Sequence, residues 1–177
     1  MPVRVLLVED SATDALLLRE MLSEVSGSEY AITHVERVAD ARQQLAGGRF
    51  DVVLVDLGLP DASGLQALSG LGPATLQTPV IVLTGTDDDA IGTAALHLGA
   101  QDFVRKHELQ PALISRTIAY AIERQTKRRE LRENEDRLTG IIHSAMDGIL
   151  SVDEQLRIIL VNPAAEQMFG RPAQAPE

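Results

Sequence analysis

The sequence contains no cysteine and no tryptophan, and aromatic residues make up only 3% of it. Without thiols no disulfide and no thiolate metal site can form, and the composition fits a reducing compartment, which points to the cytoplasm. No apolar run approaches the roughly 18 residues that a membrane-crossing helix needs, so no membrane span is expected. Positive charge is also scarce: 16 lysines and arginines stand against 26 acidic residues, a formal net charge of −10. Such a surface repels polyphosphate backbones and argues against nucleic-acid binding. The opening phrase "MPVRVLLVEDS" has a basic residue and a short apolar run. An acidic pair ends that run and no small-residue cleavage site follows, so it does not read as a signal peptide. Neither G-x-x-x-x-G-K-[ST] nor G-x-G-x-x-G occurs, and no long insertion is present to cap a substrate. These absences weigh against an independent enzyme.

What is present is alternation. "VRVLLV" (Val3 to Val8), "DVVLV" (Asp51 to Val55) and "PVIVL" (Pro79 to Leu83) are short apolar runs rich in β-branched residues, the pattern of strands buried on both faces. "YAITHVE" and "AQDFV" supply two more strands. Between them lie helical stripes: Ala15, Leu18, Leu22 and Val25; Val38, Ala41 and Leu45; Leu65, Leu68 and Leu71; Ile91, Ala94, Ala95 and Leu98. Ser11 and Asp14 form an S-x-x-D start signal ahead of the first. Five strand-helix alternations with short connections imply right-handed crossovers and a doubly wound parallel sheet.

The last helix, beginning near Leu109 to Pro111, does not stop where a globular domain would stop it. From Ala112 to about Ala145 there is no proline, and Gly140 is the only glycine. Ile114, Ile118, Ala121 and Ile122 suit packing on the sheet, whereas Leu131, Leu138 and Ala145, with Ile142 between, follow a heptad step. Glu123 with Lys127 and Glu133 with Arg137 have the favourable order for an exposed helix. The cluster Lys127, Arg128, Arg129 and Arg132 is interleaved with acids and reads as solvated surface. The thin apolar seam favours a parallel two-stranded coiled coil, and so a homodimer, over a lone connector. Beyond Met146, "GILSV" and "LRIILVN" read as two strands around a turn, and "PAAEQMFG" starts a short helix at Pro163. About thirty residues cannot bury a core of their own. The expected divisions are therefore residues 1–124, a helical linker at 125–145, and an incomplete second domain at 146–177.

In an open parallel sheet, ligands bind beyond the carboxyl ends of the strands. Those ends carry Glu9 and Asp10 after the first strand, Asp56 after the third, Thr84 and Gly85 after the fourth, and Lys106 after the fifth. Three converging carboxylates repel one another unless a cation sits among them, and hard oxygens without His or Cys favour Mg²⁺. A carboxylate beside Mg²⁺ is a competent nucleophile toward phosphorus, which would give an aspartyl phosphate on Asp56. The Lys106 ammonium and Thr84 hydroxyl suit two phosphoryl oxygens. Singly, each residue is as readily a helix cap; together they mark one rim of one sheet.

"LLVEDS", "VVLVDLGLPDASG", "VIVLTG" and "DFVRK" resemble, in order and spacing, the landmarks of response-regulator receiver domains over residues 1–124. The resemblance implies a flavodoxin-like (βα)5 fold with strand order 2-1-3-4-5, Asp56 as phosphoacceptor, and Mg²⁺ held by Glu9, Asp10, Asp56 and the Gly58 carbonyl. It also implies that Thr84 and Lys106 contact the phosphoryl group and that Phe103 is the aromatic switch residue. The donor would be a histidine kinase or phosphotransfer protein. Three departures stand out: Glu9 replaces the usual aspartate, Phe103 lacks a hydroxyl, and His107 follows the lysine where many relatives have proline. Gly58 and Thr86, two residues beyond Asp56 and Thr84, are small and imply rapid hydrolysis. The tail, "RLTGIIHSAMDGILSVDEQLRIILVNPAAEQMFG", resembles the opening of a PAS sensor domain. The sequence around His143 lacks the acidic residue and proline of a phosphorylatable kinase histidine. The reading is then a phosphorylation switch acting on a dimeric helix, its output a histidine kinase, diguanylate cyclase or phosphodiesterase; the alternative is an unphosphorylated pseudo-receiver serving as an interaction module.

Overall fold

In the computed structural model, which describes residues 1–27, 29–72, 75, 77–85 and 89–170, five strands form one all-parallel sheet. These are β1 (Val3–Val8), β2 (Tyr30–Val35), β3 (Val52–Asp56), β4 (Val80–Thr84) and β5 (Asp102–Arg105), ordered β2-β1-β3-β4-β5. Register is fixed by pairs such as Val8 with Val55, Asp56 with Leu83 and Thr84 with Arg105. The connecting helices are α1 (Ala12–Ser23), α2 (Val38–Gly47), α3 (Gln66–Gly70) and α4 (Asp89–His97), and α5 (Pro111–Ser144) follows β5.

Because side chains alternate across a strand, consecutive apolar residues feed opposite faces. Val5, Leu7, Val52, Leu54, Ile81 and Leu83 pack with Ala15, Leu18 and Leu22 of α1 and with Ile114, Ile118 and Ala121 of α5. Leu6, Val8, Val53, Val55, Val80 and Val82 pack with α2, α3 and α4 on the other face. Fully buried side chains of this kind contribute about 1.5–3 kcal/mol each. The continuous apolar runs are thus explained: both faces of the sheet are covered.

Two helix starts differ in origin. Ser11 caps α1, its Oγ accepting from Asp14 N at 3.3 Å. Arg37, at the N-cap of α2, makes no such bond; Asp61 instead accepts from Val38 N and Ala39 N at 3.1 Å each. These bonds hold the Asp61 carboxyl below its ordinary value against a burial effect in the opposite direction. The loop after β3 is thereby tied to α2. The Leu65-Leu68-Leu71 stripe forms only the five-residue α3, although Leu68 and Leu71 are buried.

The chain divides into two compact units, Met1–Lys127 and Arg128–Glu177. In the second, β6 (Leu150–Val152) and β7 (Ile158–Val161) pair antiparallel, and α6 (Pro163–Phe169) begins with Pro163 behind an Asn162 cap. Ile142 is half-buried, whereas Leu131 and Leu138 are exposed. Glu123 and Lys127 form the expected ion pair on α5, at 2.6 Å. Among the described residues, no helix is long and apolar enough to cross a membrane.

Candidate functional site

Parallel strands all end on one rim, and that rim gathers the site. Glu9 follows β1, its N–H bonded to Val35 O at 3.0 Å and its carbonyl 2.7 Å from His34 Nε2. Asp56 is the last residue of β3, and Lys106 opens a single 3₁₀ turn after β5. Glu9, Asp10 and Asp56 each offer an oxygen within 4.8 Å of the others. Glu9 and Asp56 are buried, while Asp10 faces solvent. Asp56 Oδ2 accepts from Gly58 N at 3.1 Å, and a methyl group at position 58 would lie 3.0 Å from that oxygen. Glycine there keeps the Asp56 carboxylate uncrowded.

Lys106 is the cation at the centre. Its Nζ lies 2.8 Å from Glu9 Oε2, 2.8 Å from Asp14 Oδ2 and 3.3 Å from Asp56 Oδ1. Burial lowers the ammonium's pKa, but its contacts with Asp14 and Glu9 and the field of Asp56 outweigh that effect and hold it above the ordinary lysine value. Glu9 moves upward: burial raises its carboxyl and Asp56 adds repulsion, against the pull of Lys106. Glu9 Oε1 accepts from Ser11 N at 3.2 Å, whereas the Oε2 contact with Lys106 is an ion pair without hydrogen-bond alignment. A buried carboxylate oxygen with lone pairs to spare, in a set of hard oxygen donors, fits Mg²⁺.

That raised pKa has a stability consequence. A folded-state carboxyl above its unfolded value binds protons more tightly in the native state, so metal-free stability rises as pH falls through the folded pKa toward the unfolded one. At neutral pH the Glu9 charge is a net cost. Glu9→Gln should therefore raise the Tm in EDTA at pH 7–8 and flatten its rise on acidification. Differential scanning fluorimetry across pH checks this; a lower Tm at pH 7 would refute it.

A cleft of about 330 Å³ opens beside the carboxylates, lined by Asp56, Gly58, Thr84, Gly85, Ile91 and Lys106 among others. The expected acceptor, lysine and threonine thus share one wall. Phe103 is not in that lining; it is half-buried against the α2–α4 face of the sheet. Its ring sits so close to α4 that a methyl group at position 92 would come within 2.5 Å of ring carbons. Thr86 lies outside the described residues.

Residues 5–118 match the response regulator receiver domain family. The chain belongs to that family. Its receiver part is a signalling module of the two-component kind, and residues 136–177 match a PAS domain family. The swarming motility regulation protein RssB of Serratia marcescens is 37% identical over 117 residues, 66% of this chain and 52% of that protein. The transcriptional regulatory protein BasR of Escherichia coli is 35% identical over 104 residues, 59% of this chain and 46% of that one. This chain spans about half the length of these curated relatives. Among solved structures, the receiver domain of a Luxo repressor protein from Vibrio parahaemolyticus superposes with a TM-score of 0.64 at 28% identity, covering 74% of this chain and 98% of that one. The receiver domain of the sensor histidine kinase PA1611 from Pseudomonas aeruginosa, solved with magnesium in its active-site cleft, gives 0.60 at 24% identity, covering 70% and 99%.

The receiver's Asp14 was legible only as a helix start, although it contacts Lys106. A polar residue at the third helical position, beside the rim of a parallel sheet, was the available signal. Asp61 was equally silent in the sequence. It sits in the turn after Asp56, where an aspartate reads as turn chemistry alone.

Proposed function

We propose that this receiver is a Mg²⁺-dependent phosphoacceptor switch with Asp56 as the acceptor. The observation that carries the reading is the convergence of Glu9, Asp10 and Asp56 with Lys106 on one rim, beside a cleft that Thr84 also lines. An Asp56 Oδ forms a bond to phosphorus while the donor's P–N or P–O bond breaks, and the leaving group keeps the electron pair and takes a proton. Glu9, Asp10, Asp56 and the Gly58 carbonyl would hold Mg²⁺, which when bound neutralises phosphoryl charge. Lys106 supplies a fixed ammonium and Thr84 a hydroxyl to phosphoryl oxygens. The donor is a histidine kinase or phosphotransfer protein, and no nucleic acid is involved at a net charge of −10. Gly58 brings no side chain beside the Asp56 carboxylate to screen an acyl phosphate from water, which favours a short lifetime.

The output runs through α5, which we assign as the seam of a homodimer on the strength of exposed Leu131 and Leu138 at heptad spacing. We divide the chain at residues 124 and 145, into receiver, coiled-coil linker and the start of a PAS domain, in a cytoplasmic signalling protein.

The test is intact mass after incubation with Mg²⁺ and phosphoramidate. One added phosphoryl group, lost when EDTA replaces the metal, supports the switch. A blank result by rapid quench as well, with Mg²⁺ binding intact, would leave the pseudo-receiver.

The switch also has a mechanical prediction. The Phe103 ring occupies the notch that Gly92 leaves on α4. Filling the notch costs about 1–3 kcal/mol in overpacking and displaces the ring from this seat, shifting the balance between the two arrangements of the switch. Gly92→Ala should thus change the affinity for trifluoroberyllate with Mg²⁺ by about tenfold, read by titrating the Thr84 amide resonance. Unchanged binding would refute the assignment of Phe103.

A further inference from the structure

The S-x-x-D start of α1 does not close on itself. In a capping box the acidic side chain at the third helical position reaches back to the amide of the cap residue. Here the Ser11 amide donates to Glu9 Oε1 at 3.2 Å instead. Asp14, released from that duty, turns its Oδ2 to accept from Lys106 Nζ at 2.8 Å, across 92 residues of chain. Asp14 is one of three carboxylates around this ammonium, with Glu9 and Asp56, and lies outside the group of three that could hold a metal.

The distances rank the competitors. Lys106 Nζ stands 2.8 Å from both Asp14 and Glu9 and 3.3 Å from Asp56, so the ammonium leans away from the acceptor carboxylate, and of the two nearer carboxylates Asp14 is the one outside the metal group. An ammonium has three N–H donors, and its well-formed hydrogen bond goes to Asp14. A phosphoryl oxygen arriving on Asp56 must draw that donor away or share it. The Asp14 charge also repels an incoming phosphoryl dianion. Both effects act in one direction.

We infer that Asp14 is a positioning residue that holds the Lys106 ammonium off Asp56 and so slows the loading of the receiver. The inference rests on Asp56 being the phosphoacceptor. Because the Asp14 side chain is 40% exposed, its pull on Lys106 is that of a solvated ion pair and the effect is modest. Removing it should speed loading by about twofold to fivefold.

The experiment uses the full chain with Mg²⁺ and phosphoramidate, where the Asp56 O–P bond forms, the P–N bond breaks and ammonia leaves. Initial loading rates are read by quench and intact mass for wild type, Asp14→Asn, Asp14→Glu and the double variant Thr13→Asp/Asp14→Asn. The double variant restores a charge to the first turn of α1 without returning it to position 14. In parallel, the Lys106 Nζ resonance, assigned through Lys106→Arg, is compared without metal or donor. The expected result is faster loading in Asp14→Asn, rates near wild type in Asp14→Glu, rates still fast in the double variant, and a displaced Lys106 resonance in both variants lacking Asp14. Equal or slower loading in Asp14→Asn, recovery of the wild-type rate by Thr13→Asp, or an unmoved resonance overturns the inference while the phosphoacceptor reading stands. No loading in any variant sinks both the phosphoacceptor reading and the rate effect.

Discussion

Asp56→Asn should take up no phosphoryl group from phosphoramidate or acetyl phosphate, a fall of at least about 10³-fold in rate, while remaining folded. The amide has the shape of the carboxylate, and its carbonyl oxygen can accept the Gly58 N–H bond that Asp56 Oδ2 accepts at 3.1 Å. What it lacks is a charged oxygen to attack phosphorus. Neighbouring acids do not replace it: Glu9 is fully buried, and Asp14 is engaged by Lys106. Among the described residues around the site, Asp10, exposed at the rim, is the carboxylate with the access to take a stray phosphoryl group, so peptide mapping must accompany the mass measurement. Stability should hold or rise, because the substitution removes one of three carboxylates packed within 4.8 Å, at the loss of one 3.3 Å ion pair. Unfolding in EDTA checks that sign. Loading of the asparagine variant at the wild-type rate, with the group still on residue 56 or elsewhere, would end the assignment of Asp56.

The sequence carried the sheet because the sheet is a local code. Runs such as "VVLVD" and "VIVLT" announce strands covered on both faces, and Leu7 with Val8, or Leu54 with Val55, do feed the two separate clusters. Parallel connectivity then puts every strand's carboxyl end on one rim, which is why the sequence alone associates Asp56, Thr84 and Lys106. Side-chain partners across the chain carry no such period. Asp61 caps α2 from 22 and 23 residues away, and Asp14 reaches Lys106 across 92; each reads locally as an ordinary turn or cap residue. Phe103 was placed as a switch, yet its seat depends on what is missing at Gly92. The leucine stripe at 65–71 promised a longer helix than Gln66–Gly70, because Gly70 and Gly72 end it before the periodicity does.

Asn162→Ala should remove about 2–5 kcal/mol from the local stability of the second unit, the largest stability loss expected in the chain outside its main core. The side chain is fully buried and makes four hydrogen bonds. Its Oδ1 accepts from Ile149 N at 2.8 Å and from Ala165 N at 2.9 Å, so one oxygen joins the approach to β6 with the first turn of α6. Its Nδ2 donates to Ile142 O at 3.1 Å and Asp147 O at 2.8 Å, gathering the end of α5 and the turn that follows. Alanine leaves all four backbone groups without these partners where no solvent enters at residue 162. Asn162→Asp separates capping from this wider role. Aspartate caps a helix as well as asparagine does, but it has no N–H for the carbonyls of Ile142 and Asp147 and sets a charge against them. It should therefore be nearly as damaging as alanine at neutral pH. Amide exchange over residues 142–165, with residues 5–118 as internal control, reads both variants. If aspartate restores protection to the wild-type level, Asn162 is only a cap, and the four-bond account of this unit fails.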